Sequence, residues 1–196
     1  MKVYKICDVK IAIDTNKEID FLKGFEDVSP FDLKVDFIAD KVLLENRIRE
    51  VLSNYLPHHN GFLLHSAGLL IDDMAFLLCG GTGSGKTHFV RLYEELSMGD
   101  EIMGVRKIGD KFWAYSTPFG GEFPAKNNIK AEIEKVIILQ KNKRPEKLKK
   151  DKALWEILKN VIIFKNDKIT SQKLLDILKE FIEVVDVYEG TPFVIP

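Results

Sequence analysis

Cysteine is scarce in this sequence, with Cys7 and Cys79 the two among 196 residues. They lie far apart, each in an apolar, strand-like stretch, which supplies neither a disulfide framework nor a metal-ligand cluster and suggests two buried thiols. Long apolar runs are missing too. The stretches near Phe62 and Met74 fall well short of a membrane span, and the segment from Met1 to Ile6 lacks the apolar core of a signal peptide. A cytoplasmic protein with no membrane partner is therefore expected. Nor does either sign of charge dominate: Lys and Arg total 29 against 30 Asp and Glu, a formal net charge of -1. No global basic field exists to attract nucleic acid, and no nucleic-acid partner is expected.

What is present suits one compact unit, since 45% hydrophobic and 30% charged residues is the balance of a globular chain large enough to bury its own core. Residues 3–13 and 31–38 carry β-branched and aromatic residues in part-alternating order and predict short strands joined by loops. Over 40–56 the residues Val42, Leu43, Leu44, Ile48, Val51, Leu52 and Leu56 recur at helical spacing, with Asp40 as N-cap and Pro57 beyond the end. Residues 61–71 and 74–79 are nearly continuously apolar around Asp72-Asp73, the pattern of two strands buried on both faces and joined by a tight turn.

A helix is predicted over 87–96, and further strands over 102–105, 111–115 and 136–140. Residues 117–124 form a loop rich in turn residues. The lysine-dense stretch 141–150 reads as a solvated linker, followed by helices over 151–160 and 171–181 with a short strand at 161–164 between them. The expected organisation is a small β-rich layer with its helix over 1–59, packed on a core over 60–196 that ends in a helical tail.

Between the second buried strand and the helix stands Gly80-Gly81-Thr82-Gly83-Ser84-Gly85-Lys86-Thr87, which matches G-x-x-x-x-G-K-[ST]. Glycines in this pattern let successive backbone N–H groups turn inward around phosphate oxygens. Lys86 would reach the β- and γ-phosphates, the Thr87 hydroxyl would ligate Mg²⁺, and the start of the helix would add its positive dipole end. A chance match in a chain of this length has odds of about one in a hundred. A glycine-rich turn that binds nothing is the alternative. The cofactor-binding set is then Gly80, Gly81, Thr82, Gly83, Ser84, Gly85, Lys86, Thr87 and the adjoining His88, with ATP and Mg²⁺ as cofactors. The loop alone does not distinguish phosphoryl transfer from switching or mechanical work.

Four stretches together resemble the HPr kinase/phosphorylase-like family, in its short stand-alone form. They are residues 61–68 with His65, the glycine-rich loop, Asp100-Glu101 after the loop's helix, and 117–122 followed by Asn127. The likeness runs from Asn60 to the C-terminus. It departs from the family in ending its loop with Lys86-Thr87 rather than Lys-Ser, and in carrying Lys126-Asn127 where a Gly-Arg-Asn is usual.

The resemblance implies an α/β fold, a P-loop, phosphoenolpyruvate-carboxykinase-like mixed sheet flanked by helices with a small β-rich N-terminal layer. It also implies a kinase acting on a serine-type hydroxyl of a protein, peptide or small molecule, and leaves a homo-oligomer open. Carried over by residue, Asp100 would orient or deprotonate the acceptor hydroxyl, Glu101 would help hold Mg²⁺, and His65 would sit beside the phosphates. Each has a plainer alternative: a solvated turn for Asp100-Glu101, a satisfied core histidine for His65, a surface residue for Arg106, and surface or cap positions for His58, His59 and His88. Two rival functions also stand: a bifunctional HPr kinase/phosphorylase, and a nucleotide-binding switch or degenerate kinase that transfers nothing.

Overall fold

A computed structural model of the chain describes residues 1–192 apart from 29, 82, 126, 165 and 166. The chain opens with the hairpin of β1 (Lys2–Ile6) and β2 (Val9–Ile13). Its turn residues Cys7 and Asp8 have φ of 55° and 57°, the positive values that a two-residue type I′ turn requires to match the twist of paired strands. The short strands β3 (Glu26–Asp27) and β4 (Leu33–Val35) flank this hairpin, giving a four-stranded sheet in the order β3-β1-β2-β4. Helix α1 (Lys41–Tyr55) follows, capped by the Asp40 carboxylate, which accepts the Leu43 N–H at 2.9 Å.

The second sheet has eight strands among the described residues. Strands β5 (Gly61–Ile71) and β6 (Met74–Cys79) form a hairpin whose turn residues Asp72 and Asp73 have φ of 50° and 62°. Helix α2 (Lys86–Leu92) leads through a 3₁₀ turn to β7 (Ser97–Gly99), then β8 (Ile102–Ile108), β9 (Lys111–Tyr115) and β10 (Lys130–Leu139). After β11 (Glu146–Lys147) come α3 (Lys150–Leu158), α4 (Lys168–Val184) and β12 (Asp186–Gly190). Strand β10 pairs in parallel with both β6 and β12, and its first residues pair with β9. The sheet therefore curls until β10, β6, β5, β8 and β9 close into a ring.

Burial on both faces explains the unbroken apolar run of β5. One face packs on α3 and α4, where Phe62, Phe112 and Phe181 meet edge to face with centroids 5.4 and 5.0 Å apart. The N-terminal sheet and α1 share a second core with Leu63, Ile102, Tyr115 and Phe119. A close approach locks that layer down: a Cβ at Gly104 of β8 would lie 2.0 Å from Cys7 Sγ. Gly104→Ala is expected to destabilise the fold by about 1–3 kcal/mol through overpacking, and Cys7→Ala in the same chain to recover part of that loss. Denaturant midpoints of the three variants check this, and equal midpoints for wild type and Gly104→Ala contradict it.

The same seam carries a pH dependence. Asp8 accepts the Tyr115 hydroxyl at 2.6 Å and pairs with Lys5 at 3.0 Å and Lys130 at 3.3 Å. Burial raises the Asp8 pKa, but these partners outweigh burial and bring it down to about 2. The folded value lies below the unfolded carboxylate's, about 3.9, so the stabilisation is complete above that value and is lost as pH falls toward 2. Asp8→Asn is expected to lower stability at neutral pH and to flatten the acid limb between about pH 4 and 2. Unfolding midpoints across that range test it, and parallel limbs in wild type and variant contradict it.

Several expectations shift. Cys7 lies in a turn rather than a strand, although it is buried as expected, and burial pushes both thiols up to about 12. Residues 31–38 supply only the three-residue β4, while β10 starts six residues before the predicted 136. The expected strand at 161–164 is reduced to a bridge between Val161 and Leu64. The helix at 87–96 ends at Leu92. The tail is not purely helical, because β12 joins the sheet with Glu189 at a buried position. Lys143, Lys152 and the Gln140 amide satisfy that carboxylate, and Lys147 and Lys150 of the largely exposed linker pair with Asp186 and Glu183 of the tail.

Candidate functional site

Strand register gathers the candidate residues. Ser66 of β5 pairs with Cys79, the last residue of β6, and His65 pairs with Ile102, the first of β8. On the same edge of β5, Gly68 pairs with Gly99, the last residue of β7. The two-residue break between β7 and β8, Asp100-Glu101, therefore lies beside His65 and the start of the glycine-rich loop.

That loop turns the chain between Cys79 and Lys86. Gly80 has φ of 152°, and a Cβ there would lie 2.7 Å from Ser84 Oγ, so the position accepts only glycine without rearrangement. Gly83 and Gly85 also have positive φ, and no heavy atom lies within 4 Å of where a Cβ would stand at Gly81, Gly83 or Gly85. Ser84 Oγ is buried without a hydrogen-bond partner among the described residues. Thr82, placed by sequence in the cofactor set, lies outside the described residues.

Lys86 is 8% exposed, and its ammonium donates to the Gly80 carbonyl at 2.5 Å, across the mouth of the loop. Burial pushes its pKa down against the pull of Cys79, Glu101 and Asp100.

Asp100 is 4% exposed and is held by the 117–124 loop. Its Oδ1 accepts the Gly121 N–H at 3.0 Å, and its Oδ2 accepts those of Glu122 at 2.9 Å and Phe123 at 3.1 Å. A carboxylate offers about four acceptor positions. Among the described residues one on Oδ1 stays open. The loop is fixed in turn by the Thr117 hydroxyl donating to the Ile102 carbonyl at 2.6 Å, by buried Phe119, and by an Arg91–Glu122 ion pair at 2.5 Å. A Cβ at Gly121 would lie 3.0 Å from oxygens of both Asp100 and Glu101, which shows how closely the loop covers them.

His65 is half-buried. Burial, the Lys86 charge and the Arg49 charge lower its pKa while Glu101 opposes them, so the ring is neutral near pH 7 and offers one donor and one acceptor. These groups line one cleft of roughly 350 Å³, shared by His65, Lys86, Thr87, Asp100, Glu101 and Glu122 together with Gly81, Gly83, Ser84, Gly85 and His88. Among the described residues no three His, Cys, Asp or Glu side chains cluster as a metal site. Thr87 and Glu101 both line the cleft and could hold Mg²⁺ with phosphate oxygens completing its shell, the usual division for that ion.

Other residues lie elsewhere. Arg106 donates to the carbonyls of Cys7 and His59 at 3.0 and 3.2 Å, near the far end of β5 where it pairs with Gly61. His58 bonds Thr170 at 2.9 Å and His59 stacks on Tyr55. Asn127 is exposed and gives its carbonyl to the Ser116 hydroxyl. Sequence reasoning missed Arg49 of α1, whose guanidinium lies 5.2 Å from the Phe119 ring centroid and whose charge acts on His65. It also missed Arg91, which ties α2 to the loop. No local spacing marks either arginine, because each becomes relevant only through a long-range contact.

No family model matches the chain, and no curated protein matches it. Among solved structures, the HPr(Ser) kinase/phosphatase from Coxiella burnetii is similar at 13% identity and a TM-score of 0.38, over 67% of this chain and 86% of that one. That is a distant likeness, and the functional reading rests on the cleft.

Proposed function

We propose that this chain is an ATP- and Mg²⁺-dependent kinase, of the phosphoenolpyruvate-carboxykinase-like P-loop class, that phosphorylates a serine-type hydroxyl. The observation that carries the reading is the convergence of the glycine-rich loop, Lys86, Asp100, Glu101 and His65 on one cleft. The open space at Gly81, Gly83 and Gly85 and the unpartnered Ser84 hydroxyl fit a loop that closes around phosphate oxygens. Mg²⁺ held by Thr87 and Glu101 would draw charge from the β- and γ-phosphate oxygens.

The protein's own groups then have separable tasks. Lys86 exchanges its bond to Gly80 for the β- and γ-phosphates, replacing a neutral acceptor by an anionic one. His65 donates a ring N–H to a phosphate oxygen. The open position on Asp100 Oδ1 accepts the hydroxyl of the acceptor and takes its proton as the new O–P bond forms and the bond to the ADP oxygen breaks. The three loop N–H groups keep that carboxylate aimed.

A second reading, a nucleotide-binding switch without transfer, is favoured by one observation: the same three N–H groups give Asp100 a structural duty sufficient to explain its burial. Incubation with γ-labelled ATP, Mg²⁺ and a panel of free serine, serine-bearing peptides and HPr separates the two. Label on an acceptor hydroxyl, matched by ADP release, is the kinase result. Tight ATP binding with no label on any acceptor supports the switch.

A further inference from the structure

We propose that a second cavity, beside the glycine-rich loop, is the site for the nucleotide's base, which it holds by stacking and shape; this rests on the nucleotide reading above. The cavity measures roughly 290 Å³ and shares Ser84, Gly85 and His88 with the cleft. Its further walls include Phe89 of α2, Leu139 at the end of β10, and Thr191-Pro192 just past β12. Because β10 runs parallel to both β6 and β12, all three strands end at this edge of the sheet, beside the glycine-rich loop that follows β6.

The shared residues set the direction of the ligand. Lys86 and the carboxylates mark one end of the cleft, Ser84, Gly85 and His88 belong to both spaces, and Phe89 and Leu139 lie only in the second. A triphosphate with its terminal phosphate at Lys86 therefore points its nucleoside end into the second cavity.

The walls also indicate how the base is held. Phe89 and Leu139 pack in one apolar cluster. Gln140 and Thr191 are committed within the protein: the Gln140 amide donates to Glu189 at 2.7 Å, the Gln140 N–H to the Gly190 carbonyl at 3.1 Å, and the Thr191 hydroxyl to the Gln140 carbonyl at 2.7 Å. His88, Lys141 and Asn142 stand exposed at the rim. The base's faces are gripped while its edges meet solvent, so adenine and guanine nucleotides bind within about tenfold of each other. A site that hydrogen-bonds a ligand's polar edge would separate analogues by about 10⁴.

Calorimetry with Mg²⁺ and ATP, GTP or inorganic tripolyphosphate, on wild type and Phe89→Ala, tests the site. ATP is expected to bind wild type at least about tenfold tighter than tripolyphosphate, and Phe89→Ala to weaken ATP by about five- to hundredfold while changing tripolyphosphate less than about twofold. Should Phe89→Ala fail to fold, photolabelling of wild type by 8-azido-ATP decides, with label expected on residues 139–142 or 191–192. Equal affinity for ATP and tripolyphosphate, a GTP affinity differing by about a thousandfold, or label away from these walls overturns the proposal. Failure of the nucleotide reading looks different: neither ATP nor tripolyphosphate binds wild type, and the base site falls with it.

Discussion

Lys86→Met is expected to cut kcat/KM for ATP-dependent transfer by about 10³-fold while leaving the fold intact. The ammonium is buried at the mouth of the loop and, among the described residues, bonded only to a neutral carbonyl, so burial works against its charged form until an anion arrives. Removing it sacrifices a charge placed where negative charge develops in phosphoryl transfer. Methionine keeps much of the apolar stem and relieves the protein of a desolvated cation, so thermal stability should hold or rise even as activity collapses. Steady-state kinetics beside a melting curve make the comparison. Activity within about tenfold of wild type would remove Lys86 from the transfer site.

Asp100→Asn is expected to lower kcat by about 10²–10⁴-fold. Two effects combine. The variant loses the carboxylate that orients and deprotonates the acceptor hydroxyl, and its amide sets an NH₂ donor against loop N–H groups that now find an anionic acceptor. Hydrogen exchange at Gly121, Glu122 and Phe123 should accelerate in the variant, reporting the second effect separately. Glu101→Gln supplies the control, since Glu101 faces the same cleft and no loop amide bonds to it. Loss of transfer in Glu101→Gln with unchanged exchange reports its place on Mg²⁺, whereas an Asp100→Asn variant that only loosens the loop and keeps kcat makes Asp100 a positioning residue. A variant Asp100→Asn with both normal kcat and normal exchange contradicts either role.

Much of this arrangement was legible because strong local signals coincide with it. The apolar runs of β5 and β6 around Asp72-Asp73, the Asp40 cap and the eight-residue glycine motif each follow from short-range chemistry. The sequence was less informative wherever a tertiary partner decides the outcome. Strand β12 was hidden because Glu189 occupies a buried position that only Lys143, Lys152 and Gln140 make tolerable. Helix α2 is shorter than its apolar periodicity suggests, since the chain tightens into a 3₁₀ turn before β7. At the site, the acidic pair could be located from sequence, but its capture by three N–H groups of a loop more than twenty residues away could not. Arg49 and the cavity behind Phe89 were likewise invisible, each assembled from segments distant in sequence.

The central claim is that one cleft holds a triphosphate with its terminal phosphate between Lys86 and Asp100. A crystal structure with Mg²⁺ and a non-hydrolysable ATP analogue tests it most directly. The γ-phosphate is expected to be bonded to the Lys86 ammonium, which has left the Gly80 carbonyl, and to face the open Oδ1 position of Asp100. An analogue bound elsewhere, or one in this cleft with its phosphates turned away from Lys86 and Asp100, would contradict it.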